Sequence, residues 1–131
     1  MPSILVIDDD PLLGEIVRYK LEAVGHRITL VADSSVAVAT AYEIVPDLIV
    51  LDSMMPIVSG PEILAGLRAD ERTRDIPVIM LTARKSQEDI VQALRSGASD
   101  YLTKPFVPEE LALRIAGLLG RRGSADHAHV A

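Results

Sequence analysis

The sequence predicts an α/β fold in which five parallel strands alternate with five helices, a doubly wound (βα)5 three-layer sandwich. Three observations lead there. Aliphatic runs such as Ile4-Leu5-Val6-Ile7, Leu48-Ile49-Val50-Leu51 and Val78-Ile79-Met80-Leu81 are bounded by polar residues, which is how strands buried on both faces of a parallel sheet read. The segments between them carry apolar residues at helical spacing. Each run also delivers a chemically active residue at its carboxyl end: Asp8, Asp9 and Asp10 after the first, Asp52 after the second, Thr82 after the third, and Lys104 after Tyr101-Leu102-Thr103. Ligands of such sheets sit beyond the carboxyl ends of the strands. The carboxylates, hydroxyl and ammonium therefore converge on one edge, suited to a cation and a phosphoryl group.

The elements follow in order. Strand 1 covers Ser3–Ile7, and helix 1 opens with Asp10 as its N-cap and Pro11 at the first helical position. Its inward stripe is Leu13, Val17, Leu21 and Val24, and Gly25 ends it. Arg27–Val31 alternates polar and apolar residues, the pattern of an edge strand. Helix 2 spans Ser34–Ile44 before Pro46, and strand 3 is Asp47–Leu51. Pro56, Ser59, Gly60 and Pro61 mark a loop opening helix 3, and the polar stretch Arg68–Asp75 leads to strand 4 at Ile76–Leu81. Ser86 with Asp89 three residues on starts helix 4, and Gly97 closes it. Strand 5 is Asp100–Thr103. Helix 5 starts at Pro108 with Glu109 and Glu110 suited to its dipole, and turns Leu111, Ile115, Leu118 and Leu119 inward. Residues 1–120 form one domain, and residues 121–131 read as a flexible tail or linker stub.

Composition narrows the function. With 131 residues and 49% apolar content the chain suits one domain with one core. A net charge of −6 disfavours direct nucleic-acid binding, since a phosphate backbone calls for a basic surface. Three Tyr, one Phe and no Trp leave little for a stacking platform, and the absence of Cys fits a reducing cytoplasm. No run approaches the roughly 20 apolar residues of a membrane span, and no secretory leader is visible.

Carboxylates clustered at adjacent strand ends repel one another unless a cation joins them. Mg²⁺ suits this site, with Mn²⁺ as an alternative, because it takes few carboxylates together with waters and phosphate oxygens. Asp9 and Asp52 are the direct ligands on this reading, with Asp8 supporting or acting through water, while Asp10 serves as a helix cap. A carboxylate also serves as a nucleophile toward phosphorus. Transfer then needs positioning and neutralisation of the equatorial oxygens, for which Lys104 supplies a charge and Thr82 a hydroxyl donor.

Asp8-Asp9-Asp10-Pro11, Leu51-Asp52-Ser53-Met54-Met55-Pro56, Leu81-Thr82-Ala83 and Tyr101-Leu102-Thr103-Lys104-Pro105-Phe106 together resemble the receiver domain of bacterial two-component response regulators. The resemblance runs from about Ser3 to Gly120. It implies a flavodoxin-like sheet of order 2-1-3-4-5 and phosphorylation of Asp52 by a sensor histidine kinase or a histidine phosphotransfer protein. It places Mg²⁺ on Asp9, Asp52 and the backbone carbonyl of Met54, with Asp8 supporting. It makes Thr82 and Tyr101 a switch pair and the Lys104–Pro105 bond cis. Met54 and Arg84 fall at the positions flanking the phosphoryl group, and together they lead to an expectation of slow to intermediate self-dephosphorylation. The signal would leave through helix 4, strand 5 and helix 5, to an output partner protein or a second copy. Asp100 and Arg114 resemble residues that pair across dimers of receivers joined to winged-helix domains, whereas Ile90 stands where that subfamily carries a basic residue.

The favoured reading is a stand-alone cytoplasmic receiver that catalyses only its own phosphorylation and dephosphorylation, without membrane insertion. Within the class the alternative is a receiver excised from a winged-helix transcription factor. Outside it stand an aspartyl-phosphate phosphohydrolase with Asp8 as nucleophile, which leaves Asp52 and Lys104-Pro105 unexplained, and a degenerate receiver that binds partners without phosphorylation.

Overall fold

The computed structural model describes residues 1–83 and 86–130, with side chains described through residue 121. The strands are β1 (Ser3–Ile7), β2 (Arg27–Val31), β3 (Leu48–Asp52), β4 (Val78–Thr82) and β5 (Asp100–Thr103), and the helices are α1 (Pro11–Ala23), α2 (Ala37–Ile44), α3 (Gly60–Ala69), α4 (Gln87–Arg95) and α5 (Pro108–Val130). All pairings are parallel and the order is β2-β1-β3-β4-β5. Alternation along the strands divides the core in two. Leu5, Ile7, Ile49, Leu51, Val78 and Met80 pack with residues of α2 and α3. Ile4, Val6, Leu48, Val50, Ile79 and Leu81 pack with Val17 and Leu21 of α1 and Leu111 and Ile115 of α5. The three-layer sandwich of order 2-1-3-4-5 is thus the observed fold, with β2 an edge strand as its alternation indicates.

Several boundaries move for identifiable reasons. β3 ends one residue later than its aliphatic run, because Asp52 remains in register opposite Leu81. β4 begins at Val78 rather than Ile76, since Pro77 has no N–H for the ladder. Residues 34–36 form a 3₁₀ turn ahead of α2, with the Asp33 side chain accepting from the N–H of Ser35. Val24, assigned to the inward stripe of α1, lies one residue past the helix and is exposed. Gly25 then turns the chain at φ 97°. α5 continues as helix past Gly120 to Val130.

The polar stretch before β4 is organised by one side chain. The Arg68 guanidinium donates to the carbonyls of Thr73, Arg74 and Ile76 through Nη1, the last at 2.7 Å, and to the carbonyl of Gly97 through Nε and Nη2 at 3.0 and 2.8 Å. It ties the approach to β4 to the turn that follows α4. Burial lowers the pKa of Arg68, and the nearby Asp75 pulls the other way. Replacing it by an apolar stem would leave the Ile76 and Gly97 carbonyls with an unmet hydrogen bond each. Charge-assisted bonds of this kind are worth about 1.5–3 kcal/mol, so Arg68→Met is expected to lower unfolding free energy by about 3 kcal/mol, read from urea denaturation.

Candidate functional site

The carboxyl ends of β1, β3, β4 and β5 bring together Asp8, Asp52, Thr82 and Lys104. Asp8, only 5% exposed, accepts from the N–H of Asp10 at 2.9 Å through Oδ1 and from Lys104 Nζ at 3.0 Å through Oδ2. Asp52 is equally buried, accepts from the N–H of Met54 at 3.3 Å, and lies 3.3 Å from Lys104 Nζ. Asp9 is exposed at the rim. Oxygens of Asp8, Asp9 and Asp52 lie within 4.8 Å of one another, so among the described residues three carboxylates share one ammonium, that of Lys104. Asp10 is turned to α1, where its Oδ1 accepts from the N–H groups of Leu12 and Leu13 as a cap. The Lys104 backbone N–H donates to the Thr82 carbonyl at 2.7 Å, and the Lys104–Pro105 bond is cis.

These positions set the electrostatics. Burial, and then the charge of Asp8, push Asp52 up to about 6, against the opposing pull of the Met54 N–H and Lys104. Burial alone would lower Lys104, but its hydrogen bond to Asp8 and the charges of both carboxylates raise it above the ordinary lysine value. Among the described residues one ammonium meets three carboxylates, which leaves that set with an excess of acidic groups.

The chain matches the response regulator receiver domain family over residues 4–116. It belongs to that family. Among curated relatives it is 48% identical over 121 residues to the DNA-binding dual master transcriptional regulator RpaA of Synechocystis sp., an alignment covering 92% of this chain and 50% of that regulator. It is 45% identical over 118 residues to the phosphate regulon transcriptional regulatory protein PhoB of Escherichia coli, covering 90% and 52%. The chain thus spans about half the length of the curated relatives it matches. Among solved structures, the receiver domain of Francisella response regulator 1452 superposes with a TM-score of 0.87 at 37% identity, covering 93% of this chain and 99% of that one. The receiver domain of the Pseudomonas aeruginosa sensor histidine kinase PA1611, solved with magnesium coordinated in its active-site cleft, gives 0.83 at 35% identity, covering 91% and 98%. This is a receiver of two-component signalling.

Thr82 of the receiver ends β4, buried beside Asp52's strand, while Tyr101 sits half-buried on β5 opposite Met80. Both line a cleft of about 320 Å³ between α3 and α4, together with Ser53, Leu64, Met80 and Ala93. Met54 is 55% exposed on the loop after β3, and Arg84 lies outside the described residues. Asp100 and Arg114 pair within the chain, 2.9 Å apart on a part-exposed surface, and Ile90 is half-buried on α4. The pairing expected across a dimer is thus made within one chain here.

One site residue was read from sequence only as loop punctuation. A Cβ on Gly60 would strike the Asp52 carbonyl oxygen and come within 2.5 Å of the Ser53 Cα, so only glycine lets α3 start against the end of β3. Ser59 already caps the helix, its hydroxyl accepting from the N–H of Glu62. A glycine at the next position therefore has no capping purpose, and that redundancy is the signal sequence reading can use.

The raised pKa of Asp52 has a measurable consequence in metal-free protein. The folded state holds this proton up to about 6, whereas an unfolded aspartate releases it near 3.9. The group therefore costs stability as pH rises between those values, and the cost is complete above about 6. Asp52→Asn should match the wild type at pH 4 and exceed it at pH 7 by roughly 2–3 kcal/mol, measured by chemical denaturation in chelator.

Proposed function

We propose that this receiver takes a phosphoryl group from a phosphohistidine onto Asp52 with the help of a divalent cation. The single observation that carries the reading is the three-carboxylate cluster, with the Lys104 ammonium set against two of its members. An all-oxygen, strongly anionic donor set fits Mg²⁺, with Mn²⁺ as the alternative ion. Asp9, Asp52 and the Met54 carbonyl would hold it, with Asp8 supporting or acting through water. When bound, the cation neutralises charge on the transferring phosphoryl oxygens.

A carboxylate oxygen of Asp52 forms the new bond to phosphorus as the phosphorus–nitrogen bond of the donor breaks, and the imidazole leaves with the electron pair. Asp8 is the poorer nucleophile, because the N–H of Asp10 and Lys104 occupy its two oxygens. Lys104 supplies positive charge to the phosphoryl oxygens and Thr82 a hydroxyl donor. The Tyr101 ring lines the cleft beneath α4, so movement of Thr82 toward the phosphoryl group is accompanied by the ring turning into that cleft. The only reactions the chain catalyses are its own phosphorylation and dephosphorylation. Met54 brings no polar group to orient an attacking water and Arg84 can screen the phosphate, which favours a slow to intermediate loss.

The donor is a sensor histidine kinase or a histidine phosphotransfer protein. It docks over α1, where Leu12, Ile16 and Tyr19 are exposed at helical spacing beginning at the rim of the site. The output leaves through α4, β5 and α5, Ile90, Asp100 and Arg114 included, to a partner protein or a second copy. Residues 1–120 are the receiver and residues 121–131 a tail or linker. A receiver of winged-helix type is the alternative, favoured by the transcriptional regulators among its relatives. The setting is the cytoplasm; no described helix is long and apolar enough to cross a membrane.

Intact mass after incubation with acetyl phosphate and Mg²⁺ tests the reading. One phosphoryl adduct is expected, absent in Asp52→Asn and absent in chelator. An adduct that persists in Asp52→Asn would move the chemistry elsewhere, and Lys104→Met should slow adduct formation by roughly 100-fold, the scale of losing one preorganised electrostatic partner.

A further inference from the structure

The loop after β3 carries the Met54 carbonyl, and its geometry depends on a residue from a different connection. The N–H of Val58 donates to the carbonyl of Pro56 at 2.9 Å, closing a three-residue turn on Ile57, whose φ is 72°. A β-branched residue in that region is a true outlier, since its Cβ substituents crowd the backbone. Such a conformation is strained and persists only when its surroundings over-determine it. Ile57 cannot supply that constraint itself, being 82% exposed.

Ser34 supplies it. Its hydroxyl donates to the Pro56 carbonyl at 2.6 Å and accepts from the Val58 N–H at 3.2 Å, spanning the same two groups that close the turn. Ser34 is only 5% exposed, and it starts the 3₁₀ turn before α2, anchored on the far side by the Asp33 cap. On the near side Met55 is buried in the sheet core. The stretch from Met54 to Val58 is thereby held between an apolar anchor and a hydroxyl clasp.

We infer that Ser34 is a positioning residue for the cation and phosphoryl site, acting through the Ile57 turn on the Met54 carbonyl. This rests on the proposed role of that carbonyl as a ligand. The clasp sets the loop in the binding conformation before any cation arrives, so losing it lowers affinity without touching a carboxylate.

The test is calorimetric titration of MgCl₂ into the wild type, Ser34→Ala, Ile57→Gly and the double variant, with Val58 amide exchange followed by NMR in metal-free protein. Ser34→Ala should weaken Mg²⁺ binding roughly tenfold, the low end for removing an outer support of a metal site, and speed Val58 exchange. Ile57→Gly, which adopts the turn without strain, should restore affinity in the Ser34→Ala background toward that of the wild type. Unchanged affinity and exchange in Ser34→Ala, or no restoration by Ile57→Gly, would overturn the inference. Should Ser34→Ala not fold, Ser34→Cys fills nearly the same space while weakening both hydrogen bonds. A wild type that binds no Mg²⁺ would count against the proposed ligand set, and Val58 exchange would then decide the role of Ser34 alone.

Discussion

Mutual repulsion between Asp8 and Asp52, held at the ends of neighbouring strands and bridged by the Lys104 ammonium, is the constraint around which this domain is arranged. Parallel pairing of β1 with β3 and of β3 with β4 makes it unavoidable, since it sets the ends of these strands side by side on one edge of the sheet. Each neighbouring feature either tolerates that repulsion or limits it. Lys104 spans both carboxylates, the N–H groups of Asp10 and Met54 each donate to one, and Gly60 lets α3 close against the end of β3. What remains is an anionic excess with fixed geometry, which is what preorganisation toward a cation and a phosphoryl group requires.

The rest of the molecule divides into parts that hold this geometry and one that is loosely held. α1, α2, α3 and α5 each bury apolar residues in one of the two core clusters. α4 buries none, and Ala93 is its half-buried contribution to the core. Few buried contacts mean a low local free energy of displacement. The cleft lined by Thr82 and Tyr101 lies under that same helix. Site and loosely held helix therefore share a wall, so the proposed coupling between them needs no long route through the core.

Much of this was legible in the sequence, because the physics that made it so is local. Aliphatic runs bounded by polar residues give strands, and a residue that follows such a run must stand at the strand's end, so Asp8, Asp52 and Thr82 could be placed without coordinates. Lys104 followed from the same logic. Arg68 and Ser34 could not be found this way. Both bond to backbone groups of loops distant in sequence, and a backbone carbonyl carries no side-chain signature to pair with. Val24 was misplaced because the apolar spacing runs one residue beyond Ala23, and Val24 already leaves helical geometry as the C-cap, ahead of the Gly25 turn. The intrachain pairing of Asp100 with Arg114 likewise needed coordinates, since an acid on β5 and a base on α5 are separated by 14 positions.

The Arg68 clasp also determines how α4 can travel. Its two bonds to the Gly97 carbonyl hold the residue just past the helix's carboxyl end, where Gly97 sits at φ 109° with the Arg68 stem against it. At the opposite end the Ser86 hydroxyl accepts from the N–H of Asp89, a cap made within the helix's own first turn. A rod pinned at one end resists sliding and yields by tilting. Displacement that preserves the clasp is largest near Ser86, the end next to the phosphoryl site, and diminishes toward Gly97. The face presented by α4 would then change its angle more than its position, so a partner would sense the tilt of the helix.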